Sequence, residues 1–334
     1  MRNILKNFFR FCLQSPAFVL YYQQIKDVNH MIDFHSLELT DRPAIQQHLA
    51  AWGGERGCEY SFNNMYLWGR QRYAFVDGFL IFFCQYSRRT VYTYPVGSGE
   101  KKAVLEAIME DAAQRGIPCR LSGLTDKECQ ELNALFPGRF RIHCDRNSFD
   151  YIYSIEDLAE LKGRKYQRKR NHTNRFRLNH PDHILRPLDE QTLPAAREMI
   201  AQWYEDRLRE DPHGDYHMER SAIRRALHNM QALEMEGLVL MKGSDVLAVT
   251  LGAALSKDTF DVNFEKARAD ADGAYPIINQ EFARYLRAKY PALLYLNREE
   301  DMGLEGLRKA KESYLPHHLI EKCWACQLED GCDY

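Results

Sequence analysis

The 334-residue chain contains no run of about eighteen apolar residues, so none of its segments is long enough to span a bilayer as a helix. It also lacks a P-loop and a G-x-S-x-G elbow. His180, His183, His317 and His318 do not have the spacing of a zinc-binding helix, and no bound metal is expected. An excess of one charge sign is missing as well: the formal net charge is only −2, which argues against the chain-wide basic surface of a general DNA binder. The nine cysteines are odd in number and scattered, which fits reduced thiols in a cytoplasm better than a disulfide framework. Cys323 and Cys326 resemble a metal or redox pair, but residues three apart on a strand point to opposite faces, so they are expected to be structural or free.

What is present is ordinary globular composition. At 45% hydrophobic and 28% charged residues, the chain can bury about two domain cores. Residues 1–30 form an extension in which Arg2, Lys6 and Arg10 recur opposite Ile4, Leu5, Phe8 and Phe9. That pattern suits a basic helix lying on a membrane surface. The competing expectation is that Met31 is the natural start.

Beyond Met31 one plan occurs twice. FHSLEL followed by TDRPAIQQHLAAW reads as a strand and a helix, capped by Thr40 or Asp41 with Pro43 in its first turn. YAFVDGFLIFFCQ, with a hairpin signal at Asp77-Gly78, and RTVYTYPVG supply three strands. EKKAVLEAIMEDAAQRG with IPCRLSG, then DKECQELNALFP with FRIHC, each give a helix and a strand. From ILRPL onward the second half repeats this order. The predicted fold is therefore α+β, with mixed, mainly antiparallel sheets flanked by helices, an order shared with the GNAT acyltransferases. The expected units are residues 31–155 and 181–334, two tandem GNAT-like domains joined by a basic helix over 156–180.

Two stretches carry the chemistry. Residues 161–177, LKGRKYQRKRNHTNRFR, hold eight Lys or Arg and no acid. They are expected to continue the helix that starts at Ser154, with Tyr166, Asn171, Asn174 and Phe176 facing protein. Residues 297–316, NREEDMGLEGLRKAKESYLP, pass from a strand end into a helix, a usual place for functional loops. Arg298 suits a carboxylate or phosphate, and Glu299 or Asp301 suits an ammonium group. On the central strand TFDVNFE, Asp261, Asn263 and Glu265 share one face, where Asp261 or Glu265 can position an acceptor or act as base.

Together these two stretches resemble the soluble C-terminal domain of phosphatidylglycerol lysyltransferases and the stand-alone DUF2156-like proteins that share it. The likeness covers roughly residues 33–330. It implies a tandem GNAT-like transferase that takes an aminoacyl group from a charged tRNA. The multispanning membrane half of the lysyltransferases has no counterpart in this sequence, which puts lipid in doubt as acceptor and leaves a small-molecule hydroxyl or amine as the alternative.

On this reading the catalytic set is Asp261, Glu265, Asn297, Asp301 and Tyr314. Donor contacts fall to Arg164, Lys165, Arg168, Lys169, Arg170, Asn171, His172 and Asn174 on the basic helix, and to Arg298, Glu299, Arg308, Lys311 and Ser313 in the second motif. Gly97 and Gly99, between a strand and a helix, form a candidate phosphate loop. In the matching loop of the second half, Asp270 and Asp272 oppose a pyrophosphate, which disfavours acyl-coenzyme A as donor. No tightly bound cofactor is expected; aminoacyl-tRNA, or acyl-coenzyme A, is a co-substrate. The expected location is cytoplasmic, with a peripheral contact to anionic lipid left open, and the oligomeric state is not set. The rival to a transferase is a non-catalytic module of the same fold that binds RNA or anionic lipid.

Overall fold

A computed structural model describes residues 31–328, apart from 54, 70 and 86–88. The basic pattern of residues 1–30 lies outside the described residues. In the first half a short strand β1 (His35–Ser36) leads to helix α1 (Arg42–Trp52), with Pro43 in its first turn, and then to α2 (Phe62–Trp68), which the sequence pattern did not signal. Ser61 caps α2 by accepting the Asn64 N–H. A meander follows, β2 (Arg72–Val76), β3 (Phe79–Gln85) and β4 (Thr90–Thr93), with β5 (Val96–Gly97) beside β3. Helix α3 (Lys101–Arg115), β6 (Arg120–Leu124), α4 (Asp126–Leu135) and β7 (Phe140–Cys144) complete it.

Next come β8 (Asp150–Ser154), α5 (Ile155–Glu160) and the basic helix α6 (Gln167–Asn179). The second half then repeats the plan. β9 (His183–Pro187) is followed by α7 (Leu193–Glu210), an added helix α8 (His217–His228), and the meander β10 (Glu236–Lys242), β11 (Asp245–Ala254) and β12 (Thr259–Ala267). Helix α9 (Ala274–Lys289), β13 (Tyr295–Asn297), α10 (Glu305–Glu312), β14 (His318–Ile320) and β15 (Cys323–Gln327) end the chain as described.

In each sheet the strand after the meander pairs in parallel, β6 with β4 and β13 with β12, as a crossover helix requires. The next position is filled by the other half. The first sheet runs β1-β2-β3-β4-β6-β15-β7 and the second runs β14-β8-β13-β12-β11-β10-β9. The boundary expected at 155/156 therefore does not separate the sheets: β8 lies inside the second and β15 inside the first. One apolar core is also shared, joining Ile45, Tyr60 and Phe62 to Tyr204, Ile223 and Phe264. Polar ties cross the same seam, including Asn63 Nδ2 to the Leu233 carbonyl at 2.8 Å.

The exchange overturns the expectation for the cysteines. Antiparallel pairing sets Cys323 opposite Cys144 with Cα atoms 4.1 Å apart, and the two form a disulfide. Cys326 is disulfide-bonded as well. Cys58, Cys84, Cys119 and Cys129 are free and buried.

The basic segment is not one helix. α5 ends at Leu161 with φ 50°, Gly163 follows at φ 82°, and a 3-10 turn over Arg164–Tyr166 leads into α6. Arg170 clamps the break by donating to the carbonyls of Leu161 and Gly163. The break lets Tyr166 turn inward, where its hydroxyl donates to the Tyr314 carbonyl at 3.2 Å. Tyr166, Thr173 and Phe176 are buried, whereas Asn171 and Asn174 face solvent rather than protein.

Candidate active site

The site gathers where β8, β12, the end of β13 and α10 meet. β12 is the middle strand of its sheet, flanked on the α9 side by Phe260 and Val262 packing against Ile277, Ile278 and Phe282. A bulge against Leu251–Ala253 breaks the expected alternation of this strand, so Phe264 joins the other core and Glu265 meets Asn279 of α9 instead of sharing one face with Asp261; Asn263 and Glu265 reach the loop after β13. Asn263 Nδ2 donates to Asp261 at 2.9 Å and to Glu299 Oε1 at 3.3 Å, and Glu265 Oε1 accepts from Arg298 at 2.9 Å. Glu299 Oε1 also accepts from Asn64 Nδ2 of α2 at 3.1 Å, so both halves build this centre.

The loop is held under constraint. Glu299 and Met302 adopt left-handed backbone at φ 56° and 53°, a conformation costly for a side-chain-bearing residue and found where surrounding contacts over-determine it. Those contacts are visible. Asn297 is fully buried, gives Nδ2 to Asp150 at 2.9 Å and takes the Glu299 N–H at 2.7 Å. Lys311 Nζ donates to the carbonyls of Arg298, Glu299 at 3.0 Å and Glu300 at 2.6 Å. Asp301 accepts from Arg308 at 2.7 and 2.9 Å, from the Tyr151 hydroxyl at 2.6 Å and from the Gly303 N–H at 2.9 Å.

Electrostatics divides the acids by role. The Arg308 hydrogen bonds hold the Asp301 carboxyl well below the ordinary range, so it stays a fully paired anion. Burial pushes Glu299 up to about 8, with Glu300 and Asp150 adding to the effect. Asp261 is raised well above its ordinary value, first by burial and then by Glu299. Lys311 is lowered to about 8 by burial and Arg298, and Lys169 to about 8 by burial, Arg298 and Arg168. Behind this layer lies a buried ammonium, Lys322, 2.8 Å from Asp150, 2.9 Å from Glu300 and 3.2 Å from Glu59. Burial opposes its charge, but Asp150, Cys58, Glu300 and Glu59 outweigh that and raise its pKa. Cys58, Glu59 and Asp150 are close enough together to chelate a cation. The cation they surround is this ammonium.

The model of the phosphatidylglycerol lysyltransferase C-terminal family matches residues 52–326. The chain belongs to that family. Like the members it resembles, it has the tandem GNAT-like fold. A conserved protein of unknown function from Bacteroides thetaiotaomicron is 38% identical, with a TM-score of 0.83 over 89% of this chain and 100% of that one. The C-terminal DUF2156 domain of a lysylphosphatidylglycerol synthetase from Agrobacterium fabrum is 15% identical, TM-score 0.61, over 86% and 92%. FemX is 11% identical, TM-score 0.56, over 89% and 98%. No curated protein matches the sequence.

In this member of the lysyltransferase C-terminal family the two sequence motifs meet. Lys169 Nζ lies 3.6 Å from the centroid of the Tyr314 ring, and the Arg298 guanidinium is 5.3 Å from the same ring. Arg164, Lys165, Arg168 and Asn171 face solvent, with Lys165 paired to Asp157 at 3.2 Å. His172 meets Arg175 at 3.2 Å, and Arg175 pairs with Asp272 at 2.6 Å. Other candidates prove to be scaffold. Arg170 clamps the helix break, Ser313 caps its own turn at the Ala310 carbonyl, and Asn297, Asp301 and Arg308 brace the loop. Gly97 and Gly99 sit against the β2–β3 turn: a Cβ on Gly97 would meet the Gly78 carbonyl oxygen at 2.2 Å, and one on Gly99 the Asp77 oxygen at 2.9 Å. Close packing accounts for both glycines. Asp270 is taken by Arg268 at 2.6 Å.

Sequence reasoning missed Asn64, Asp150, Asn279, Glu300 and Lys322. Asp150 begins a strand that the sequence pattern did not signal, and Lys322 stands in the connector between β14 and β15. Nothing local in their neighbourhoods marks them.

Proposed function

We propose that the chain is an aminoacyltransferase that moves an aminoacyl group from a charged tRNA to a hydroxyl or amine. One observation carries the choice of donor. Asp261 Oδ1 and Asn263 Oδ1, on side chains joined by a 2.9 Å hydrogen bond, are buried acceptor atoms without a hydrogen-bond partner. An α-ammonium group brings N–H donors that satisfy such a pair, whereas a plain acyl chain from coenzyme A brings none. Family membership supports a transferase, and the structures of an L-PGS from Bacillus licheniformis and of FemX share its fold.

The residues divide the work as follows. Asp261 and Asn263 receive the ammonium. The Glu299 carboxylate has Oε1 tied to two side-chain amides, leaving Oε2 to take the proton from the attacking group. With a pKa near 8 it can hold and release a proton near neutrality. Arg298 and Lys169 supply positive charge on the same side for the carbonyl oxygen that turns anionic. The exposed Arg164, Arg168 and Lys165 continue this charge outward for the phosphates of the tRNA acceptor end. A lipid acceptor has support only from the family. No helix among the described residues is long and apolar enough to cross a membrane.

The deciding experiment offers purified protein with labelled aminoacyl-tRNA or acyl-coenzyme A, together with a mixture of anionic lipids and small amines. Label transfer from aminoacyl-tRNA is expected. Turnover of acyl-coenzyme A alone would sink the reading.

A further inference from the structure

A second concavity, of about 610 Å³, opens between α7 and α8, within the size range of small-molecule sites. Its polar lining is basic: Arg197, Arg220, Arg224, Arg225 and His228, without a carboxylate. Two of these arginines are occupied. Arg225 donates to the Tyr66 and Leu67 carbonyls at the end of α2, and Arg197 to the Leu227 carbonyl at 3.1 Å. The side chains of Arg220 and Arg224 have no hydrogen bond or ion pair with any described residue. The neighbouring acid, Glu219, is engaged by Lys266 at 2.7 Å. Two permanently charged planar donors thus face a pocket with nothing to bind.

The remaining wall is mostly apolar. Ile200, Ala201 and Leu227 line it with the hydroxyl-bearing Ser221, and so does the ring of Tyr204, whose hydroxyl lies beside Glu219. We propose that this cavity binds a small phosphorylated molecule. The phosphate sits between Arg220 and Arg224, which suit it by bidentate geometry. The organic part lies on Ile200, Leu227 and the Tyr204 ring. This site is independent of the transfer reaction and does not rest on it.

The test is calorimetry on the full chain with inorganic phosphate and with glycerol 3-phosphate, and flotation with vesicles of phosphatidylglycerol or of phosphatidylcholine. Glycerol 3-phosphate is expected to bind at least about 10-fold more tightly than inorganic phosphate, because it also uses the apolar wall. Binding that is confined to phosphatidylglycerol vesicles and lost in Arg220→Ala/Arg224→Ala identifies the source of the phosphate as a lipid headgroup. The double variant is expected to weaken binding at least about 10-fold, while Arg207→Ala/Arg209→Ala, on the acid-paired end of α7, changes nothing. Equal binding by the wild-type and Arg220→Ala/Arg224→Ala proteins overturns the proposal. So does binding of an RNA oligonucleotide with none of the small phosphates or vesicles.

Discussion

Glu299 combines left-handed backbone, burial and a proton affinity moved toward neutrality. Its raised pKa gives a signed prediction. An unfolded Glu299 ionises near 4.5 and the folded one near 8, so its contribution to stability is full below about pH 4.5 and is lost as pH rises toward 8. Glu299→Gln is therefore expected to raise the melting temperature at pH 8 while lowering kcat by about 10²- to 10⁴-fold, the usual contribution of a general base. The rising limb of the wild-type pH–rate profile near pH 8 should vanish in the same variant. A variant that keeps both the rate and the limb would remove Glu299 from the chemistry. Asp261→Asn tests the ammonium pocket: kcat/KM for the aminoacyl donor should fall about 10- to 100-fold with little loss of stability, since the carboxyl it replaces is buried and already reluctant to ionise. Thermal melts beside steady-state kinetics read both.

At the level of elements, the loop between β13 and α10 depends on Asp301, whose four donors come from three separate segments of chain. Asp301→Ala leaves Arg308 and Tyr151 facing an emptied site and is expected to cost on the order of 3 kcal/mol. The carboxyl is held low, so its stabilisation is present above about pH 4 and lost as pH falls below it. Acid unfolding of wild type should thus be steeper there than that of Asp301→Asn, as circular dichroism against pH would show. Helix α6 makes a different prediction. Arg168→Glu with Lys169→Glu should weaken tRNA binding about equally for all sequences and reduce the salt slope by about 1 to 2. Arg170 is unsuited to that test because it clamps the helix break. Unchanged tRNA affinity at low salt would assign the patch another role.

At the scale of the whole molecule, the exchange of β8 and β15 makes the two halves mutually dependent. A fragment ending at residue 149 lacks the strand between β6 and β7, and a fragment beginning at 150 carries that strand with nowhere to pair. Neither should unfold cooperatively alone, and co-expression should restore a soluble complex, a result read by size-exclusion chromatography and calorimetry. Independent cooperative melting of the first fragment would contradict the exchange. The active centre inherits the same dependence, because Asn64 from α2 holds the Glu299 carboxylate.

Much of this was legible in the sequence. The repeated order of strands and helices follows from hydrophobic periodicity and turn residues, both local properties, and the two long motifs marked the family and the neighbourhood of the site. Lys169, Arg298 and Glu299 were named from sequence and lie in one neighbourhood, but the single polar face read into TFDVNFE is broken by a bulge that sends Phe264 and Glu265 to opposite sides from those expected. What local pattern cannot encode is pairing across distance. Tyr151 meets Asp301 150 residues away, and Asn297 meets Asp150 at a separation of 147. Those long-range bonds decide which carboxylate is saturated scaffold and which is left available. Likewise β15 reads as an ordinary final strand, and only the tertiary structure inserts it into the other sheet, brings Cys323 against Cys144 and buries Lys322 among three acids. The sequence alone determined the kinds of element and their order, because these depend on neighbours in the chain. The charge state and accessibility of each candidate were settled by the fold, because desolvation and hydrogen bonding depend on neighbours in space.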